Sequence, residues 1–261
     1  MFNRIVKYNL FVGVISLLVS SCYQKNAQNN QVVLTNDDFI NDTLIEGIHA
    51  DSIEFVDTFK LIPVETIHKT IQANVKKKIK HKLPKIKTGA DLDKEQLLEN
   101  IAITHVYATI GKINNDKTLF QQSIKQNEEC IVALITDSIE YPQKVSIDSL
   151  SNWTEQLFVT NNMNQERAYF EAIIWLENLY LTLENPKNYR NNQKLEELIY
   201  MQLDNGVGML ERLSFYQDYQ PIGKFSDFLI DIIDCKYFDL DITQLRNEVI
   251  ETRNSLSVLI P

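Results

Sequence analysis

NQERAYFEAIIWLENLYLTL, residues 164 to 183, is apolar on almost every side when wound as a helix. Glu171, Asn178 and Thr182 fall on one narrow stripe, at spacings of seven and four. A surface helix keeps a broad polar face, so this pattern predicts a central helix packed on several sides. Glu166, Glu171 and Glu177 interrupt the run and leave too short an apolar stretch to span a bilayer. A helix with no solvent face needs other helices around it, and the flanking sequence supplies them.

Upstream, Pro63 opens a stretch in which Val64, Ile67, Ile71, Val75 and Ile79 recur every three or four residues, and Pro84 closes it. That spacing predicts an amphipathic helix with proline in its first turn. Lys76, Lys77, Lys78, Lys80 and Lys82 then mark its other face, either as a solvated surface or as a contact for anionic headgroups. A second helix is expected over about 91 to 113, with Leu97, Leu98, Ile101, Tyr107 and Ile110 inward. Asn114 to Asp116 turns the chain, Asp116 suits the N-cap of a helix to about Ile135, and the two make a hairpin. Asp148 or Ser149 is expected to cap a short helix bearing Leu150, Trp153 and Leu157.

Downstream, Leu195, Ile199, Leu203, Val207, Leu210 and Leu213 predict a long helix over about 191 to 216. Gly206 and Gly208 inside it each cost about 1 kcal/mol relative to alanine, so either a neighbouring backbone comes close there or the helix kinks. Gln220 to Gly223 reads as a turn before a helix at 225 to 234, and a final helix is expected over 241 to 258. Seven Gly and six Pro among 261 residues is too little punctuation for an all-β chain. The expectation is an all-α, antiparallel array of about seven to eight helices in one domain, 37 to 261.

The N-terminus is of another kind. Arg4 and Lys7 precede ten apolar residues, Leu10 to Val19 (LFVGVISLLV), about half the roughly 20 that a spanning helix needs. This reads as a signal peptide over 1 to 21. Val19-Ser20-Ser21-Cys22 resembles the lipobox of bacterial lipoproteins. That resemblance implies that the Cys22 thiol takes the diacylglycerol and that cleavage makes Cys22 the first mature residue. Acyl chains contribute on the order of 0.8 kcal/mol per buried methylene, which predicts a protein held on a membrane through its lipid anchor. The Gln/Asn-rich stretch to Asn36 reads as a flexible tether, with a reach of roughly 20 Å. Surface-directed lipoproteins of the Bacteroidetes type carry acidic residues just after the lipidated cysteine; Gln24 and Lys25 stand here, pointing to the periplasmic face of the outer membrane.

From Leu92 to Tyr216 the chain resembles a family of all-helical Bacteroidetes lipoproteins. The match rests on Tyr107 before an Asn/Asp turn, on Asp148-Ser149-Leu150, and on Trp175-Leu176-Glu177-Asn178-Leu179-Tyr180. Thr104, Ile173, Ile174 and Asn178 depart from that family's aspartate and glycines. The resemblance implies an all-α body on a lipid anchor and brings no reaction with it. A tetratricopeptide pattern fails, because Thr-Glu-Gln follows Trp153 and Leu-Glu-Asn follows Trp175.

Charge narrows the function classes. Residues 1 to 87 sum to +4 and residues 88 to 261 to −13, giving the net −9, and so acidic a body argues against nucleic-acid binding. There is no Walker loop, no G-x-G-x-x-G, no H-E-x-x-H and no G-x-S-x-G, so no catalytic residue and no cofactor is expected. His49, His68, His81 and His105 lie far apart in sequence, so no metal is expected either. His105 reads as an interior or rim histidine. Glu171 and Glu177, six apart on the central helix, stand on opposite sides rather than as a pair, and each reads as exposed or held by arginine or lysine. Cys130 and Cys235 would be free to form a disulfide in an oxidising compartment. Trp153, Tyr169, Phe170, Trp175 and Tyr180 are candidates for an apolar pocket between helices, with core packing as the plainer reading. The function that fits is an envelope accessory module binding a protein partner; the alternative is a carrier or sensor of a small apolar or lipid ligand.

Overall fold

Asn164–Leu183 forms the helix that its pattern dictates, and it is the hub on which most of the others pack. The computed structural model describes residues 59–75, 79–88, 91–134, 147–184, 192–237 and 241–259, without the side chains of 147–153 and 234–237. All lie in the unit Asp57–Pro261. Cys22 and the stretches expected to be signal peptide and tether, Lys76, Lys77 and Lys78, and the side chains of Trp153 and Cys235 lie outside that description.

Eight α-helices follow in order among the described residues: α1 Val64–Asn74, α2 Lys94–Ile113, α3 Lys117–Leu134, α4 Ile147–Thr160, α5 Asn164–Leu183, α6 Gln193–Leu213, α7 Gln220–Tyr237 and α8 Ile242–Asn254. A 3-10 turn, Ser214–Tyr216, continues α6. The body is therefore the all-α array that the periodicities predict. α2 packs on α3 as a hairpin and on α5; α5 also meets α4, α6 and α8, and α7 lies against α6 and α8. Leu98, Ile101, Ile173, Trp175, Leu176, Leu179, Leu203 and Ile232 are among the side chains filling the space between them.

Local chemistry sets the helix ends. Asp93 accepts from Gln96 N–H at 2.8 Å while the Gln96 side chain accepts from Asp93 N–H at 3.3 Å, a reciprocal cap that starts α2. Asp116, Asn192 and Asp241 cap α3, α6 and α8 through their side-chain oxygens. Asn115, at φ 57°, turns the α2–α3 hairpin in the left-handed conformation that asparagine tolerates. A Cβ on Gly111 would stand 2.7 Å from the Phe120 backbone nitrogen, so only glycine lets the two helices of the hairpin come this close.

Four boundaries differ from the periodic reading, one of them at the last helix: expected to reach Val258, α8 ends at Asn254, and Leu259 beyond it bridges Ile86. α1 stops at Asn74, where Val75 turns extended, and does not run on to Pro84. Its Asn74 carbonyl is taken by the Asn192 side chain at 2.9 Å, and continuing it would set Lys78 and Lys82 four apart as like charges. Asp148 and Ser149 lie within α4, Ile147–Thr160, rather than ahead of it. Gln220 to Gly223 is the first turn of α7, because proline's fixed φ and missing N–H cost nothing at that position.

Gly206 on α6 answers its question differently from either expectation. The neighbour is an indole: a Cβ there would stand 2.6 Å from Trp175 Cζ2. Gly206→Ala should therefore lower stability by about 1 to 3 kcal/mol despite alanine's better helix propensity, because Trp175 is 1% exposed and has nowhere to move. Urea unfolding checks this; a variant as stable as the parent would mean that the indole re-seats freely.

Candidate functional site

The polar groups inside the array are the places where chemistry could occur, and most converge on α5. Glu177 is fully buried, and Arg253 of α8 donates from Nε to its Oε1 at 2.6 Å. The Arg253 guanidinium also lies 4.1 Å from the centroid of the Tyr180 ring. Burial pushes the Glu177 carboxyl up, and the arginine works against that. Glu171, on another side of α5, is held by Arg167 at 3.1 Å and by Arg212 of α6. Both carboxylates are thus bound to arginine on separate sides of the helix. Glu177 is sealed from solvent, while Glu171 is 16% exposed at its side chain.

Glu99 on α2 is 1% exposed and collects three donors: Tyr169 O–H at 2.9 Å, Ser257 O–H at 3.0 Å and Val258 N–H at 2.8 Å. Burial pushes its carboxyl up while the donors pull it down. The last two donors belong to the segment after α8. Val258 carbonyl in turn accepts from Lys87 N–H at 2.8 Å, and Ile86 bridges Leu259 antiparallel. Glu99 therefore works as a clamp that fixes the C-terminal segment, and with it residues 86 and 87, on the central helices.

Two histidines that are 13 apart in sequence meet. His68 of α1 and His81 stand edge to face with ring centroids 5.1 Å apart, both buried. The Asn114 side chain lies 3.2 Å from His68 Nε2, and Glu184 lies 3.5 Å from His81 Nδ1. Burial, then the facing His81, depress His68 to about 4. Burial alone takes His105 on α2 to about 4, with its ring edge-on to Phe170. Cys130 of α3 is a buried free thiol whose pKa burial raises to about 12, so it is neither disulfide-bonded nor a ready nucleophile. Among the described residues no three His, Cys, Asp or Glu side chains are placed to hold a metal ion.

The aromatic candidates do not share one neighbourhood. Tyr169 faces Glu99, Tyr219 and Phe225; Phe170 packs on Phe158 and His105; Trp175 donates to the Gln202 carbonyl at 2.8 Å; Tyr180 lies under Arg253. An open depression among the described residues lies on α4 instead, lined by Glu155, Gln156, Val159 and Thr160. Of the lysine row, Lys80 and Lys82 are exposed on the non-helical segment after α1. Pattern reading misses Arg253, Glu99 and the His68–His81 pairing; the one signal was a charged or polar residue at an otherwise apolar helix position. Comparison with protein-family models, curated proteins and solved structures gives no match.

Proposed function

We propose that the chain is a lipid-anchored protein of the outer membrane, facing the periplasm, that serves as an interaction or accessory module for an envelope protein partner. The observation that carries this is Cys22, placed directly after a ten-residue apolar core and two serines. The helical body fits the role. Its carboxylates at 99, 171 and 177 are engaged in holding helices together, and among the described residues no helix is long and apolar enough to cross a membrane. Tyr200 and Met201 on α6, each 43% exposed, offer apolar contact on its outer side. The ligand-carrier reading has less behind it, because the Trp175 ring is 1% exposed and packed against Gly206.

The test is in-cell crosslinking of the tagged chain followed by mass spectrometry, with Cys22→Ala as the mislocalised control. A stoichiometric envelope partner that disappears in the control supports the accessory role; recovery of abundant neighbours alone counts against it. The same variant should move from the membrane to soluble or unprocessed fractions and lose labelling by radioactive fatty acid. Unchanged labelling would sink the anchor.

A further inference from the structure

Between Glu65 and Asp91 the sequence holds eight lysines and no carboxylate, although the whole chain carries −9. The structure shows how the second half of that run is displayed. Ile79 is half-buried, Lys80 exposed, His81 buried, Lys82 exposed and Leu83 half-buried; past Pro84, Lys85 is exposed, Ile86 buried and Lys87 exposed. Alternate residues in and out is the period of an extended chain, so Lys80 and Lys82 project from one side about 7 Å apart.

The segment is fastened along its length. His81 seats against His68, the Lys87 backbone bonds to Val258, the Asn100 side chain donates to the Lys87 carbonyl at 3.1 Å, and Ile86 bridges Leu259. Lys69 pairs with Glu65, Lys94 with Glu166 and Lys125 with Glu129, whereas Lys80, Lys82, Lys85 and Lys87 have no such ion pair among the described residues. They share that state with the scattered Lys60, Lys117, Lys194 and Lys224 but, unlike those, hold it as one contiguous run. A solvated charge run needs no rigid backing, whereas four unpaired ammonium groups on a fixed strap form a preorganised cationic edge.

We infer that residues 79 to 88 are a docking edge for an anionic lipid surface, with Lys80, Lys82, Lys85 and Lys87 meeting headgroup phosphates. The charge distribution selects this occupant: outside the run the chain is strongly acidic, so a phosphate-bearing plane attracts the strap and repels the remainder, which fixes one orientation. The setting rests on the envelope reading above, and the two fail separately, because fatty-acid labelling tests the anchor and vesicle adsorption tests the strap.

The experiment compares the full chain with a form in which Lys80, Lys82, Lys85 and Lys87 are all changed to Gln. Both carry Cys22→Ala, so that no acyl chain contributes. Each is sedimented with vesicles of phosphatidylcholine, alone or mixed with phosphatidylglycerol, at low and high salt. A second control changes the exposed Lys117, Lys125, Lys194 and Lys224 to Gln, removing equal charge elsewhere. The expected result is a preference for anionic vesicles that high salt abolishes, that falls on the order of a hundredfold in the strap variant, and that survives in the control. Equal adsorption of parent and strap variant overturns the inference, as does equal loss in the control. Binding of soluble oligophosphate without vesicle adsorption overturns it too. Circular dichroism confirms that both variants keep their helices.

Discussion

Replacing Arg253 by Met costs about 3 to 5 kcal/mol of folding stability, and adding Glu177→Leu to that variant restores most of the loss. Glu177 is 0% exposed, and its Oε1 takes the Arg253 Nε donor at 2.6 Å. Removing the guanidinium strands an anion among helices, where no water can replace the lost partner, and desolvation then acts unopposed. Removing both groups takes away the Coulombic attraction and the desolvation cost together, and these nearly cancel in a low-dielectric interior. Some loss remains in the double variant, because the guanidinium also covers the Tyr180 ring. Urea titration measures the three proteins, with an unchanged slope showing that only stability has moved. A single variant within 1 kcal/mol of the parent would mean that Glu177 is buried as the neutral acid.

That pair also shows what a one-dimensional pattern carries. The all-round apolar character of 164 to 183 made α5 legible as the hub, because burial on every side leaves its mark in one contiguous stretch. The inward residues of α2 and the cap at Asp116 were legible for the same reason: cause and effect lie within one or two turns. Glu177 and Arg253 are 76 residues apart, and Ser257 and Val258 reach Glu99 across more than 150. Pattern shows a carboxylate at an apolar position without naming what neutralises it. The end of α1 was missed on similar grounds. Val75 and Ile79 continue the helical spacing, yet both also suit an extended chain, and the choice was made by partners in distant sequence: Asn192 on the last carbonyl and His68 against His81. Gly206 signalled a close approach, but glycine does not distinguish a backbone from an indole as its neighbour.

Acid should unfold this protein through its histidines. His68 and His105 have folded pKa values of about 4 against an ordinary value of 6.5, since burial disfavours the imidazolium of both, and His81 faces His68. The unfolded chain therefore binds these protons first. Stability from each group is fully present above 6.5 and is lost as pH falls from there through 4. At pH 5 each histidine has given up about 2 kcal/mol, and together they remove a sizeable part of the 5 to 15 kcal/mol that a domain usually holds. Glu99 acts in the opposite sense. Its carboxyl is raised by burial, so its contribution is present in acid and lost as pH rises through the folded value, which partly offsets the histidines. The difference between parent and variant isolates each group from that offset. His105→Gln, lacking a titrating ring, should match the parent's stability to within a constant above pH 7, and should lose about 2 kcal/mol less than the parent between pH 7 and pH 5. His68→Gln should behave alike while leaving His81 and Glu184 in place. Guanidinium titrations at successive pH values give the curves. Parallel curves for parent and His105→Gln would mean that the ring takes its proton inside the fold without cost, which requires water or a carboxylate to reach the interior of α2.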